Sequence, residues 1–349
     1  MMPAMDWNRA WLDQWAQHQR RAAASFAVLH PDEPPAPRWA TEGLSEAVRD
    51  SVTLRSYGAA EPGGATALVV TPQVNHSYIA DFAPDQSLVR SLLGNGLDRV
   101  GVTDWQPPPE RAYTISDSID DILACMDTLE GPVHLVGLCQ GGWQAAIVAA
   151  LYPERLASLT VAASPIDAHA GSTMLHAFSL GLPMAFFEGL VTAGGGRAPG
   201  SMLSSGFDLL KPFERFAYHP ISLLLGADDP QHLERFEALR NWYRLNKDIA
   251  GELYLEVVRD LFQGNLLMKN QLEISGRRVH LPDIRCPVHL VAGSRDHITP
   301  QEQVWAFEEH LAPGQAQRWL VDAGHIGVFA GRRSLATTWP QIAEHWTGS

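Results

Sequence analysis

Three cysteines in 349 residues, Cys125, Cys139 and Cys286, are too few and too scattered for a disulfide framework or a zinc-ligand pattern. No apolar run is long enough to span a bilayer, so no transmembrane segment is expected. Met1 to Arg21 carries tryptophans and charges where a signal peptide needs an uninterrupted apolar core, and a cytoplasmic location is the default expectation. Positive charge is also short. Against 39 aspartates and glutamates stand 26 lysines and arginines, and a net charge of −13 argues against nucleic acid as a partner. The acidity forms no long single-sign block and reads as a solubilising surface. The chain lacks a Gly-rich dinucleotide fingerprint after a strand, a phosphate-binding loop with its lysine and a His-Glu-x-x-His helix, so neither cofactor nor metal is expected.

What the chain does have is a 46% hydrophobic composition, enough for one large α/β domain plus an insertion. An amphipathic stretch from Trp7 to Val28 and a Pro-rich linker from His30 to Arg38 make residues 1–45 an N-terminal arm. Strand and helix then alternate. Strands are predicted over Ser51–Tyr57, Ala67–Thr71 and Arg99–Thr103, with helices over Ser87–Leu93 and Ser116–Leu129. Such alternation implies a mostly parallel sheet covered on both faces, with residues 46–163 and 285–349 as its core. After the strand Leu159–Ala163 the rhythm breaks until Val288, so residues 164–284 read as a cap inserted over the active site. Within it the apolar run Ala177–Val191, closed by Gly194-Gly195-Gly196, is either a moving lid or a static helix with a glycine turn. Trp242, Tyr243, Tyr254 and Phe262 recur at roughly helical spacing and read as core.

The chemistry centres on Gly137-Leu138-Cys139-Gln140-Gly141, which has the form of a nucleophile elbow with cysteine in the usual place of serine. Val133–Val136 before it reads as a buried strand, and Trp143–Leu151 after it is an Ala-rich helical run. A thiol at that helix N-terminus meets backbone N–H groups and a dipole that favour the thiolate. Two further signals follow in the chain order this arrangement requires. The strand Pro287–Gly293 ends in a loop carrying Asp296, and the strand Gln317–Val321 ends in a glycine-flanked loop carrying His325. His325 would take the thiol proton and later activate the acyl acceptor, while Asp296 would fix the imidazole tautomer. His297 competes for the role of base but, as Asp296's neighbour, is assigned to the loop around the acid. Cys125 and Cys286 are read as buried spectators. For the tetrahedral oxyanion, the donors would be the backbone N–H of Gln140 and that of Val74 or Asn75 in the loop after the third strand. His76 and Tyr78 in the same region serve either loop packing or substrate contact.

The residues Asn75–Asp81 with Ser87–Arg90, Asp104-Trp105, Gly137–Gly142, Ser164–Asp167, Leu210–Pro212, Asp296–Ile298 and Gly324–Gly327 together resemble the polyhydroxyalkanoate synthases, particularly the short, class III type of catalytic subunit. The resemblance runs from about Thr71 to the C-terminus. It implies an α/β-hydrolase-like core, a cap controlling access, and a Cys-His-Asp triad on Cys139, His325 and Asp296. The implied substrate is a 3-hydroxyacyl-CoA thioester, polymerised into an intracellular polyester with release of CoA. Trp143, Gln106 and Ala323 depart from the family's usual smaller residue or glycine and bear on the acyl pocket. The hydrolytic alternative is a thioesterase or intracellular polyhydroxyalkanoate depolymerase on the same scaffold. A noncatalytic granule-associated protein is the third reading, and the intact trio argues against it. A cap with an apolar run suits a homodimer, a second synthase subunit or attachment to a polyester granule surface.

Overall fold

Short runs of Val, Leu and Ala without a charged residue make strands that can be buried on both faces. The computed structural model, which describes residues 38–59, 63–210, 228–244 and 246–348 together with Gln14, Gln17 and Gln19, sets such runs side by side. The main sheet has eight strands: β1 (Leu44–Arg49), β2 (Val52–Gly58), β3 (Thr66–Val70), β4 (Arg99–Trp105), β5 (Val133–Leu138), β6 (Leu156–Ala162), β7 (Val288–Gly293) and β8 (Ala316–Val321). Their order is β1-β2-β4-β3-β5-β6-β7-β8. β1 and β2 pair antiparallel, as do β2 and β4, and every other neighbour is parallel. Every residue of β3, β5 and β7 is buried, whereas the edge strands β1 and β8 are largely exposed. This is an α/β fold with a mostly parallel central sheet.

The helices that follow the early strands are α1 (Leu88–Gly94), α2 (Ile115–Leu129) and α3 (Gln140–Leu151). Each has a local reason to begin where it does. Ser87 caps α1 by accepting the N–H of Arg90 at 3.0 Å, and Thr114 and Asp117 form a reciprocal capping box at the start of α2. α3 is buried on all sides, which its alanines and glycines permit by letting strands approach closely.

β1 has no counterpart in the sequence reading, whose boundary between arm and core falls inside it. Its Leu-Ser-Glu-Ala-Val-Arg residues bury no face, so the alternation that betrays a half-buried strand is missing. Apart from Gln14, Gln17 and Gln19, the N-terminal stretch before residue 38, with all of the linker but Arg38 and most of the Leu210–Pro212 motif, lies outside the described residues.

Among the described residues, nothing between β6 and β7 adds a strand to the main sheet. The apolar run expected there is two helices, α4 (Met174–Gly181) and α5 (Met184–Ala193), separated at Leu182-Pro183 because proline at an interior position would clash with the preceding turn. The three glycines cap α5: Gly196 N–H donates to Val191 O at 2.9 Å and Gly195 N–H to Thr192 O at 3.1 Å. Further on come α6 (Gly200–Leu210), α7 (Pro230–Arg244), α8 (Gly251–Glu256) with a π-helical continuation over Val257–Gln263, α9 (Gln301–Trp305), α10 (Gly327–Ala330) and α11 (Arg332–Thr347). The chain divides into two compact units. The larger comprises Pro37–Gly200 and Lys247–Ser349 and holds the whole main sheet; the smaller includes Ser201–Asn246. Trp242 and Tyr243 belong to the smaller and Tyr254 and Phe262 to the larger, so they are not one helical stripe. No helix of the described residues is long and apolar enough to cross a membrane.

Candidate active site

Cys139 stands between the last residue of β5 and the first of α3, with φ 51° and ψ −116°. A non-glycine residue at positive φ is strained, and such strain persists only where its surroundings enforce it. Here they do. The Cys139 N–H donates to Ala162 O at 2.9 Å, and Gly142 N–H donates back to Cys139 O at 3.0 Å. A Cβ on Gly137 would lie 2.3 Å from Gly141 O, and one on Gly141 would lie 2.1 Å from Val70 O. The glycines of the motif are therefore space requirements: they let α3 turn back hard against β3 and β5. The Cys139 side chain remains half-buried, whereas Cys125 and Cys286 are buried, with thiols pushed up by desolvation to about 12 and about 11.

β7 and β8 end side by side, and their loops are stitched together by Ser294 N–H to Val321 O (2.8 Å) and Arg295 N–H to Ala323 O (3.1 Å). This brings Asp296 and His325 into contact: His325 Nδ1 lies 2.8 Å from Asp296 Oδ2. Both residues are buried. Asp296 Oδ1 also accepts the N–H groups of Ile298 (2.9 Å) and Thr299 (3.0 Å), so the carboxylate is fixed by its own loop. Burial works against a charge on Asp296, yet His325 and these hydrogen bonds hold its pKa below the ordinary value. Burial likewise opposes protonation of His325. The charges of Asp296 and the Cys139 sulfur, with hydrogen bonds to both, outweigh it and raise the imidazole well above its ordinary range.

Thr299 is the partner that sequence reasoning missed. Its Oγ1 lies 2.9 Å from Asp296 Oδ2, 3.1 Å from His325 Nδ1 and 3.0 Å from the carbonyl of Ala163, the residue just past β6. A threonine three residues after an aspartate is a turn signal that could have found it. His297, half-buried, lies in the loop between Asp296 and Ile298.

On the other side of the elbow, the loop after β3 carries Val74, half-buried, and Asn75, buried. The structure brings in one further residue there, Gln73. Its backbone N–H donates to Gln140 Oε1 at 2.9 Å, and Gln140 Nε2 donates back to Gln73 Oε1 at 3.2 Å. Gln144 Nε2 adds a second donor to that oxygen at 3.2 Å, and Gln73 Nε2 donates to Tyr113 Oη at 3.2 Å. Tyr113 in turn donates to Asp121 Oδ2 at 2.6 Å, which also receives the Ser51 hydroxyl at 2.6 Å. Val74 O accepts the N–H of Lys247 at 3.0 Å. His76 stacks on Tyr78 and Tyr78 on Phe82, at 5.6 and 6.3 Å between ring centroids. Trp143 is 2% exposed and packs into the core with the rest of α3. Gln106 bonds to Thr53 and Asp104, and Ala323 joins the loops after β7 and β8. Among the described residues, no group of three or more His, Cys, Asp or Glu is placed to hold a metal ion.

A family model described as a protein of unknown function, DUF3141, matches residues 119–325, which include the elbow, Asp296 and His325. The poly(3-hydroxyalkanoate) polymerase subunit PhaC of Synechocystis sp. is 30% identical over 80% of this chain and 76% of its own length. The protein of that name from Allochromatium vinosum is 28% identical over 83% of this chain and 82% of its own. The one from Haloferax mediterranei is 29% identical over 79% of this chain, and the match spans only 57% of that longer protein. In fold, the chain is similar to a hydrolase from Pseudomonas aeruginosa, with a TM-score of 0.57 and 18% identity over 90% of this chain and all of the other. An enol-lactonase from Burkholderia xenovorans gives a TM-score of 0.54 at 16% identity, over 88% of this chain and all of that one. The strand order, the elbow and these matches agree, and the chain belongs to the polyhydroxyalkanoate polymerase family of acyltransferase enzymes, on an α/β-hydrolase fold.

Proposed function

We propose that this chain transfers 3-hydroxyacyl groups from CoA thioesters to a hydroxyl acceptor through an acyl intermediate on Cys139. The observation that carries the reading is the buried His325–Asp296 pair at 2.8 Å, in the chain order that follows a cysteine held at positive φ on an elbow. In the first half-reaction the Cys139 thiolate attacks the thioester carbonyl, and the oxygen gains charge facing the N–H groups of Gln140 and of Val74 or Asn75. The carbon–sulfur bond to CoA then breaks, and the CoA thiolate takes the proton that His325 holds. In the second half, His325 accepts the proton of a hydroxyl from a second 3-hydroxyacyl unit or growing chain as that oxygen attacks the acyl-cysteine; the carbon–sulfur bond to Cys139 then breaks, forming the ester and returning the Cys139 thiolate beside the protonated His325. The elevated basicity of His325 suits both steps: it keeps the proton while the thiolate attacks and releases it only to a developing thiolate.

Cysteine suits the chemistry for an energetic reason. The acyl-enzyme is itself a thioester, so loading from CoA is nearly balanced and the acyl group remains activated for the next transfer. The polymer would accumulate as an intracellular polyester in the cytoplasm, with the chain at its surface, alone or with a second synthase subunit.

The test is incubation of the purified protein with 3-hydroxybutyryl-CoA, following thiol release and separating polymer from free 3-hydroxybutyrate. Polymer is expected, and Cys139→Ala should abolish both thiol release and acyl-enzyme formation. Free acid matching CoA release would replace the synthase reading with a hydrolase. Full turnover by Cys139→Ala would sink the triad itself.

A further inference from the structure

We infer that the side-chain amides of Gln73 and Gln140 clamp the two halves of the oxyanion site at their working separation, with Gln144 and Tyr113 bracing the clamp. The inference rests on the acyl-transfer reading above.

The two donor sets belong to segments 67 residues apart in sequence, one after β3 and one at the start of α3. The β3–β5 ladder joins them only as far as Val70 opposite Gly137. Past that pair the backbones part, one into a loop and the other into a helix, and the parallel ladder no longer sets their distance. The first connection beyond it is the reciprocal pair between Gln73 and Gln140: main-chain N–H to Oε1 at 2.9 Å and Nε2 to Oε1 at 3.2 Å. Two bonds in opposite directions fix orientation as well as distance.

The clamp has little freedom of its own. Gln73 Oε1 takes a second donor from Gln144, one helical turn beyond Gln140, and Gln73 Nε2 is spent on Tyr113. Tyr113 is held by Asp121, and Asp121 by Ser51. Gln73 and Gln140 are 9% and 8% exposed and Gln144 is fully buried, so water cannot readily replace a lost partner. Because the N–H of Gln73 is committed to Gln140, the donor on this loop falls to the residues after it. Gln73 and the side chain of Gln140 are thus positioning residues, acting through the backbone groups they hold. Oxyanion stabilisation depends steeply on donor geometry, and a misplacement of about 1 Å is worth about a hundredfold in rate.

A buried amide network could also serve stability alone, and the two roles separate by reaction type. Acylation by 3-hydroxybutyryl-CoA or p-nitrophenyl butyrate passes through an oxyanion. Alkylation of Cys139 by iodoacetamide does not, since its displacement at carbon builds no tetrahedral oxygen. For Gln140→Ala and Gln73→Ala we expect kcat for acylation to fall about 10- to 100-fold, KM to stay within about twofold, and the alkylation rate to stay within about twofold. The double variant should cost no more than either single one, because both remove the same clamp. Tyr113→Phe, which deletes one brace and keeps the ring, should lower kcat about 3- to 10-fold with the same split. It carries the test if the alanine variants fail to fold.

Acylation within twofold of wild type in these variants, or acylation and alkylation falling in parallel, or single effects that multiply in the double variant, would each overturn the clamp. If the wild-type protein releases p-nitrophenol but ignores 3-hydroxybutyryl-CoA, the substrate assignment fails while the clamp is still read on the ester. If it uses neither, both fall.

Discussion

Thr299 shows how much of a candidate catalytic site can rest on a residue to which the proposed reaction gives no chemical step. Its hydroxyl has one hydrogen to give and stands near two acceptors, Asp296 Oδ2 and Ala163 O, while its oxygen can receive the Nδ1–H of His325. It therefore joins the acid, the base and the end of β6 at one point. Hydrogen bonds to charged groups contribute roughly 1.5–3 kcal/mol. Thr299→Val keeps the shape and removes the bonds, and kcat/KM for thiol release should fall about tenfold with KM little changed. An unchanged kcat/KM would mean that the loop backbone alone orients Asp296. The elbow at Cys139 and the meeting of Asp296 with His325 were legible in the sequence because each of the three residues follows a strand and their chain order is distinctive. Thr299 and Gln73 were not, because a hydroxyl or an amide acquires its meaning from a tertiary partner. Ala163 lies 136 residues from Thr299, and no periodicity reports such a contact.

The elbow makes the corresponding point for elements. Strand β5, Cys139 and helix α3 form one unit whose sharp turn depends on backbone packed where a side chain would be. Gly141→Ala would drive a Cβ to 2.1 Å from the carbonyl of Val70, a backbone atom at the end of a fully buried strand. Nothing flexible can yield there. The substitution should cost about 3 kcal/mol or more, lower the thermal midpoint by several degrees and suppress acylation by shifting the loop after β3. Gly189→Ala is the control: it lies inside α5 with nothing within 4 Å of the new methyl, and should be neutral or stabilising by about 0.5–1 kcal/mol. Equal melting of the two variants would remove close packing as the reason for the motif's glycines. The main-sheet elements were largely legible because buried strands and Ala-rich helices have strong local patterns. The exceptions have physical causes. Exposed β1 hides its period, and Pro183 breaks a run that hydrophobicity alone joins.

At the scale of the whole molecule, the parallel sheet has two ends with different chemistry. Cys139, Asp296 and His325 follow the carboxyl ends of β5, β7 and β8, while His134 and His289 sit second in β5 and β7, near the opposite end. There His134 Nδ1 lies 2.8 Å from Ser158 Oγ and its ring stacks on Trp346 at 4.9 Å. His289 Nδ1 accepts the indole N–H of Trp319 at 3.2 Å and meets the His345 ring edge-on at 5.7 Å. Burial lowers His134 to about 4, and burial with the neighbouring His345 and His134 lowers His289 to about 4, against an ordinary 6.5. The sign follows directly. As pH falls below about 6.5 the unfolded chain takes up protons that these rings refuse, so the folded state loses stability down to about pH 4. At about 1.4 kcal/mol per unit, each ring costs up to about 3 kcal/mol at the low end of that window. Asp104, Asp121 and Glu256, whose carboxyls are raised by desolvation, pull the other way by binding protons in the folded protein first. Urea unfolding midpoints measured from pH 7.5 to 5 isolate the histidines by comparison with His289→Gln, whose amide oxygen can still accept the Trp319 N–H. The wild-type midpoint should fall more steeply with acid than that of the variant. Parallel profiles would assign the acid sensitivity to other groups.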